Sequence, residues 1–429
     1  MHTSRKTLDR QEFKTLGLSS LGGALEFYDF IIFVFFTQYI SMHFFPQELS
    51  TFWRDLNTYG TFAAGYLARP IGGIVMGHFG DKLGRKNMFM LSILLMVVPT
   101  FSLSLIPTFE TIGYLAPLFL LLVRVFQGIA IGGELPGAWV FVREHSPQKH
   151  KALYLGVLTA SVVGGILLGN LVALILNLSL SAEEMKEWGW RIPFFIGGVF
   201  GIISIYLRKF LSETPVFQQM KQDRALEKFP LKEVLKTSKQ GVILSMFSTW
   251  VLAGCIVVLV LFMPNFMQKV LSFSDIQKSL VQMGGILSLV FGCVLAGACA
   301  DRFGISRSYK VFAVVLGSLS LVFFYNLYGA RSEVGAIITY ILSCFGVAIM
   351  IFTPVVMCEV FEARFRFSGI SFAYNIGYAI VGGFTPQLAL TLHTLSLSGK
   401  YPYALYGYIL LLCFVAYGVA CVYKKMWEK

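Results

Sequence analysis

Glu26 and Asp29 stand three residues apart in the apolar run 18–42. A run of that length reads as a membrane-spanning helix, and a spacing of three puts both carboxylates on one face of it. Carboxylates are costly in lipid, so such a pair marks a proton or solute path. Arg69, Arg124 and Glu134 also fall inside apolar segments of the first half. Together the set holds three acids and two arginines. Fully ionised it carries one surplus negative charge, and a single bound proton neutralises it. An unpaired charge is expensive at low dielectric, so one carboxylate is expected to exchange a proton. Glu26, Arg69 and Glu134 each lie roughly 15 Å from a helix end on the same side, at about 1.5 Å per residue, and are expected to form one inner group. Asp29 lies about a turn deeper, and Arg124 lies farther toward the other side.

The rest of the chain supplies the helices that must position these groups. It has 429 residues, 56% of them hydrophobic and 14% charged, with mean hydropathy +0.70. A soluble domain carries roughly 25% charged residues. The apolar segments are continuous and too long for barrel strands, so the fold class is all-α integral membrane. Spans are predicted at 18–42, 56–79, 88–107, 113–142, 152–178, 191–211, 240–269, 278–300, 309–328, 334–358, 368–394 and 402–423. Placing the N-terminus in the cytoplasm leaves only Arg54, Lys186, Arg191, Lys269, Lys278, Arg331 and Lys400 of the 35 Lys and Arg on the opposite side. That asymmetry is the positive-inside rule, and it puts both termini in the cytoplasm. The basic N-terminal segment runs into a full-length span with no small-residue cleavage site, unlike a removable signal peptide. The net charge of +12 therefore reads as topology and not as nucleic-acid binding.

The polar stretch 212–239 divides the chain into an N-terminal six-helix bundle, 1–211, and a C-terminal one, 240–429, joined by a cytoplasmic linker. The halves echo each other. Gly77, Asp81, Lys82 and Gly84 follow the second span; Gly297, Asp301, Arg302 and Gly304 follow the eighth. Glycine permits close helix approach, and an acid there can sit at a neighbouring helix N-terminus. Such a pair of loops can latch one end of the molecule. Gly77, Asp81, Arg85, Asp301 and Arg302, with Glu144, Glu359 and Arg364 at neighbouring helix ends, are the candidate gating residues.

The segment Gly77 to Lys86 resembles the loop motif of the major facilitator superfamily, and Arg124 to Gly128 resembles its fourth-helix motif. Glu26 to Phe30, Arg69 to Gly73, Gly132 to Glu134, Trp190 to Phe194 and Glu213 to Pro215 together resemble the metabolite:proton symporter family, whose bacterial permeases carry proline and betaine, α-ketoglutarate, citrate and shikimate. The resemblance covers the whole chain. It implies a proton-coupling pair of Asp29 and Arg124, with Glu134 and Glu26 as further candidates. Two departures stand out. Glu362 follows Glu359 to Phe361 where the family often has proline, and Ile305 and Ser306 replace the usual Gly-Arg of the second loop. The second latch is therefore expected to be the weaker.

Solute sites in this architecture lie at the midplane between the halves. The candidates are Arg69, Tyr28 and Gln127 from the first half, and Trp250, Asn265, Tyr374 and Asn375 from the second. Pro264, Pro354 and Pro386 offer kinks. The cysteines show no disulfide framework and the histidines no metal spacing. There is no phosphate-binding loop, so neither cofactor, metal nor enzymatic activity is expected. The expected function is uptake of a small organic acid or zwitterion with protons, by alternating access in a monomer of the bacterial cytoplasmic membrane. The alternatives are proton-coupled export of an organic solute or carboxylate siderophore, and a transporter-like membrane sensor.

Overall fold

The computed structural model describes residues 10–46, 48–398, 401 and 403–428. Among them are twelve long helices. The first six are α1 (Arg10–Phe35), α2 (Thr51–Leu83), α3 (Arg85–Leu105), α4 (Leu115–His145), α5 (Lys151–Ser179) and α6 (Ile192–Lys209). The second six are α7 (Lys239–Leu271), α8 (Asp275–Phe303), α9 (Ile305–Gly329), α10 (Glu333–Val360), α11 (Arg366–Leu397) and α12 (Ala404–Met426). Short helices Pro215–Gln222 and Pro230–Thr237 lie in the polar segment between α6 and α7.

Ten helices are long and apolar enough to cross a membrane unaided. The two that are not, α2 and α11, carry Arg69 and Asn375 at the molecule's centre. They pack on each other and so shield that polarity from lipid. The pairing of helices repeats: α1 packs on α5 and α6, α2 on α4, and α3 on α4 and α6. Correspondingly α7 packs on α11 and α12, α8 on α10, and α9 on α10 and α12. Between the two sets the main contacts are α2 on α11 and α8 on α5, which are again equivalent.

Small residues make these approaches possible. A Cβ on Gly128 of α4 would run into the Gly65 carbonyl of α2. Backbone cannot move aside as a side chain can, and overpacking costs about 1–3 kcal/mol. Gly128→Ala is expected to melt several degrees below the parent, read by thermal unfolding in detergent. A variant melting with the parent would show that α2 and α4 are not held this closely.

Regular hydrogen bonding breaks in two central places. In α7 the segment Ile256–Phe262 winds as a π-helix and is followed by Pro264. In α10 the segment Val347–Ile351 winds as a 3₁₀ helix just before Pro354. Proline has no N–H to give the carbonyl four residues earlier. Val260 accepts instead from Gln282 Nε2 at 3.0 Å.

Candidate functional site

The start of α1, the end of α12 and both repeated loops lie at one face of the bundle, here the terminal face. Gly84 has φ +120 and Gly304 φ +91, so each ends its helix in a conformation open to glycine. Asp81, just before the first of these turns, accepts from the amides of Phe367 and Ser368 at 3.3 and 2.8 Å, at the start of α11. Asp301 accepts from the amides of Ala152 and Leu153 at 3.0 and 2.8 Å, at the start of α5. Each loop acid thus holds the N-terminus of a helix from the other half, where the helix dipole favours an anion. A Cβ on Gly77 would meet Ser368, and one on Gly297 would meet Ala152, so both glycines let these ends close.

Ion pairs tie the two sides further. Arg85 reaches Asp81 at 3.1 Å and Glu144 at 3.3 Å, and donates to the Ala363 carbonyl at 2.7 Å. Arg366 reaches Glu144 at 3.1 Å. Glu359 receives Arg143 at 2.9 Å and Lys151 at 2.8 Å. Of the expected gating residues, Gly77, Asp81, Arg85, Asp301, Glu144 and Glu359 come together here. Arg302 does not: it is exposed and lies over Phe303. Arg364 pairs with Glu362 at 2.9 Å and lies near Glu227 and Glu233 of the polar segment, while its neighbour Arg366 takes the latch position. Arg85 has no counterpart in the second loop, where Ile305 is buried; bases of the first half serve Glu359 instead.

One further pair is equivalent between the halves. Glu213 accepts from the Lys86 amide at 3.2 Å, capping α3, and Glu428 accepts from the Ser306 amide at 3.2 Å, capping α9. Glu428 is not legible in the sequence, because its partner is backbone and the residue belongs to no apolar pattern.

The central cavity lies between the halves. Phe27 and Ile31 of α1, Tyr66 and Arg69 of α2, Leu135 and Trp139 of α4, Thr159 of α5, Leu252 and Ile256 of α7, Met350 and Pro354 of α10, and Tyr374 and Tyr378 of α11 line it. It measures about 40 Å³, room for a water or so and not for an organic solute. Toward the face opposite the termini, Asn170 of α5 donates to Gln282 of α8 at 2.7 Å, closing the halves there. Tyr66 and Tyr378 stack across the centre at 5.7 Å.

Arg69 is the one charged side chain among the described residues that line the cavity. Its Nε donates to Asn375 Oδ1 at 3.3 Å, and Asn375 Nδ2 donates to the carbonyls of Gly132 and Ser371 at 2.6 and 2.7 Å. Arg69, Tyr374 and Asn375 therefore lie together between the halves. The other expected solute contacts lie elsewhere. The Tyr28 hydroxyl donates to the Pro193 carbonyl at 3.0 Å, inside the first half. Gln127 is buried beside Arg124. Trp250 donates to Tyr408 at 3.2 Å on α12, and Asn265 is exposed. The π-helical segment explains part of this: it fits an extra residue into the turn of α7 and rotates the later residues off the α-helical register.

The charge cluster divides. Glu134 lies 4.0 Å from Arg208, whose Nη1 also donates to the Phe89 carbonyl at 3.0 Å. Glu134 and Arg69 are thus not one inner group: Arg69 turns to α11 and Glu134 to α6. The side chain of Glu26 lies outside the described residues. Arg208, fully buried, is a third arginine, which the charge count along the sequence places at the cytoplasmic end of α6. The sequence count of two arginines in the cluster is therefore too low by one.

Asp29 is fully buried, and neither of its oxygens has a hydrogen-bond partner among the described residues. Its carboxyl rests on Gly197 of α6, beside the Thr100 methyl. Arg124 does not bond to it: Nη1 donates to Gln127 Oε1 at 2.7 Å, Gln127 Nε2 donates to Thr100 Oγ1 at 2.8 Å, and the guanidinium lies 4.2 Å from the Phe33 ring centroid. The pair that the resemblance implies is open in this state.

Comparisons with known proteins agree with this architecture. The family model described as Major Facilitator Superfamily matches residues 27–386. The proline/betaine transporter of Salmonella typhimurium is 33% identical over 392 residues, covering 88% of this chain and 77% of that one. The inner membrane metabolite transport protein YhjE of Escherichia coli is 31% identical, covering 92% of each chain. Among solved structures, the proton:xylose symporter XylE bound to 6-bromo-6-deoxy-D-glucose superposes with TM-score 0.80 at 16% identity, covering 98% of this chain and 96% of that one. The human organic anion transporter MFSD10 superposes with TM-score 0.68 at 13% identity, covering 95% and 99%.

Proposed function

The chain belongs to the major facilitator superfamily, and from that premise we propose that this secondary transporter couples entry of a small organic acid or zwitterion to entry of a proton. The observation that carries the proposal is Asp29, a fully buried carboxyl that no described side chain or amide hydrogen-bonds. Burying an isolated carboxylate costs several kcal/mol, so Asp29 holds a proton in this closed state. Arg124 then bonds Gln127 instead of Asp29. When the proton leaves, Asp29 becomes an anion, and Arg124, linked through Gln127 to Thr100 beside Asp29, is the cation suited to neutralise it. Arg124 carries its own backbone against Gly65, the residue before Tyr66 of the cavity wall. A change at the proton site thus reaches the solute site through α2.

The halves act as two rocking bodies. The loop acids release α11 and α5 when the terminal face opens, and the Asn170–Gln282 contact parts when the opposite face opens. By the positive-inside rule the terminal face is cytoplasmic, in a bacterial inner membrane. Arg69 provides the cation for a solute carboxylate, which suits proline- or betaine-like zwitterions as well as di- and tricarboxylates.

The test is a thermal-shift titration of the purified protein with proline, glycine betaine, citrate and 2-oxoglutarate at an acidic and an alkaline pH. Ligand binding stabilises by mass action, and linkage makes the gain larger at acidic pH if the protonated form binds better. Stabilisation by a carboxylate-bearing solute that is larger at acidic pH is expected. Equal stabilisation at both values, or none by any of the four, would count against the reading.

A further inference from the structure

The Arg69 side chain does more than await an anion. Its guanidinium carbon lies 4.1 Å from the ring centroid of Tyr378, 5.3 Å from that of Tyr374 and 5.6 Å from that of Tyr66. All three distances fall within the roughly 6 Å range of a cation–π contact. Tyr66 and Tyr378 are nearly parallel, 6° apart, and Tyr374 stands at 59° to Tyr378 with centroids 5.5 Å apart. Trp139 backs Tyr374 edge-on at 4.8 Å. Three rings from α2 and α11 thus wall a box beside the cavity, and a cation from the protein itself fills it. Asn375 holds Nε.

We propose that the Tyr66–Tyr374–Tyr378 box is a binding site for a monovalent organic cation, and that Arg69 occupies it as an internal surrogate when no solute is present. Resting on the transport reading, this narrows the solute to one bearing a cationic and an anionic group. The carboxylate draws Arg69 out of the box, and the solute's ammonium or guanidinium group takes its place. The exchange keeps one cation against the rings throughout and leaves no unpaired charge at the centre. It also makes room: a cavity of about 40 Å³ cannot admit an organic solute while Arg69 stays where it is. A di- or tricarboxylate would leave three π faces without a cation, so the box discriminates against it.

The experiment vacates the site. Arg69→Ala, purified in detergent, is titrated with tetramethylammonium chloride against sodium chloride of equal ionic strength. Melting temperature and tryptophan fluorescence, with Trp139 beside the box, are the readouts. Saturable stabilisation at least tenfold tighter than in the parent is expected, and it should disappear on adding Tyr378→Leu but persist with Tyr378→Phe. Arg69→Gln, which keeps a donor for Asn375, replaces Arg69→Ala if that variant does not fold. No saturable response in the vacated protein, an equal response in the parent, or indifference to Tyr378→Leu would overturn the proposal. No flux or pH gradient enters the measurement, so its failure is separate from failure of proton coupling.

Discussion

Asp29→Asn is expected to abolish accumulation of solute while leaving exchange across the membrane intact. Asparagine keeps the size of the side chain beside Gly197 but has no proton to gain or lose. It also buries no charge, so the closed state described here should form readily. A gradient of one pH unit coupled to one proton is worth about 1.4 kcal/mol, which sustains roughly tenfold accumulation. In Asp29→Asn the inside and outside concentrations should meet, and the variant's counterflow should lose its dependence on pH. Uptake by proteoliposomes under an imposed pH gradient measures the first, and counterflow over a pH series the second. Accumulation at the parent level would remove Asp29 from the mechanism and direct attention to Glu134, whose only ion pair among the described residues is the long contact with Arg208.

Asp81→Ala is expected to open the terminal face. The carboxylate accepts two amides at the start of α11 and pairs with Arg85. Losing a helix cap costs about 0.5–2 kcal/mol, and stranding buried donors adds to it. A total of about 2–3 kcal/mol shifts the closed-to-open ratio roughly 30- to 150-fold. All of that falls on one conformational state, because the contacts join helices that must separate when the protein opens. Thr159 lines the cavity, so a cysteine placed there in a cysteine-replaced background reports access from the terminal face. Its alkylation should quicken by about that factor in Asp81→Ala and less in Asp301→Ala, since no loop arginine joins Asp301. Unchanged alkylation in Asp81→Ala would show that the loop does not hold the face shut.

What the sequence disclosed and what it hid differ for physical reasons. The twelve helices were legible because lipid demands long apolar runs, and α2 and α11 were legible despite their polarity because the repeat fixes their places. The loop acids were legible because their glycine turns recur at one spacing. Arg69, Tyr374 and Asn375 lie together because polar residues in spans face protein and not lipid. Arg208 was misplaced because a basic residue at a helix end normally turns to water; here it turns inward onto Phe89 and Glu134. Asn265 was misplaced because a π-helical turn leaves no trace in apolar periodicity; Trp250 precedes that turn and bonds Tyr408 instead. Arg364 sits within a short 3₁₀ turn, Ala363–Phe365, and Arg366 opens the helix after it, so the two side chains leave in different directions. Tyr66, Tyr378 and Trp139 were overlooked because a single aromatic in a span is ordinary packing; only their convergence on one guanidinium singles them out.

The central claim is that solute and proton enter together through one buried carboxyl. Right-side-out vesicles holding a pH-sensitive dye, with no gradient imposed, test it most directly when the stabilising solute is added outside. Acidification of the lumen that accompanies solute entry and is absent in Asp29→Asn is the expected result. Solute entry with an unchanged or more alkaline lumen would contradict it.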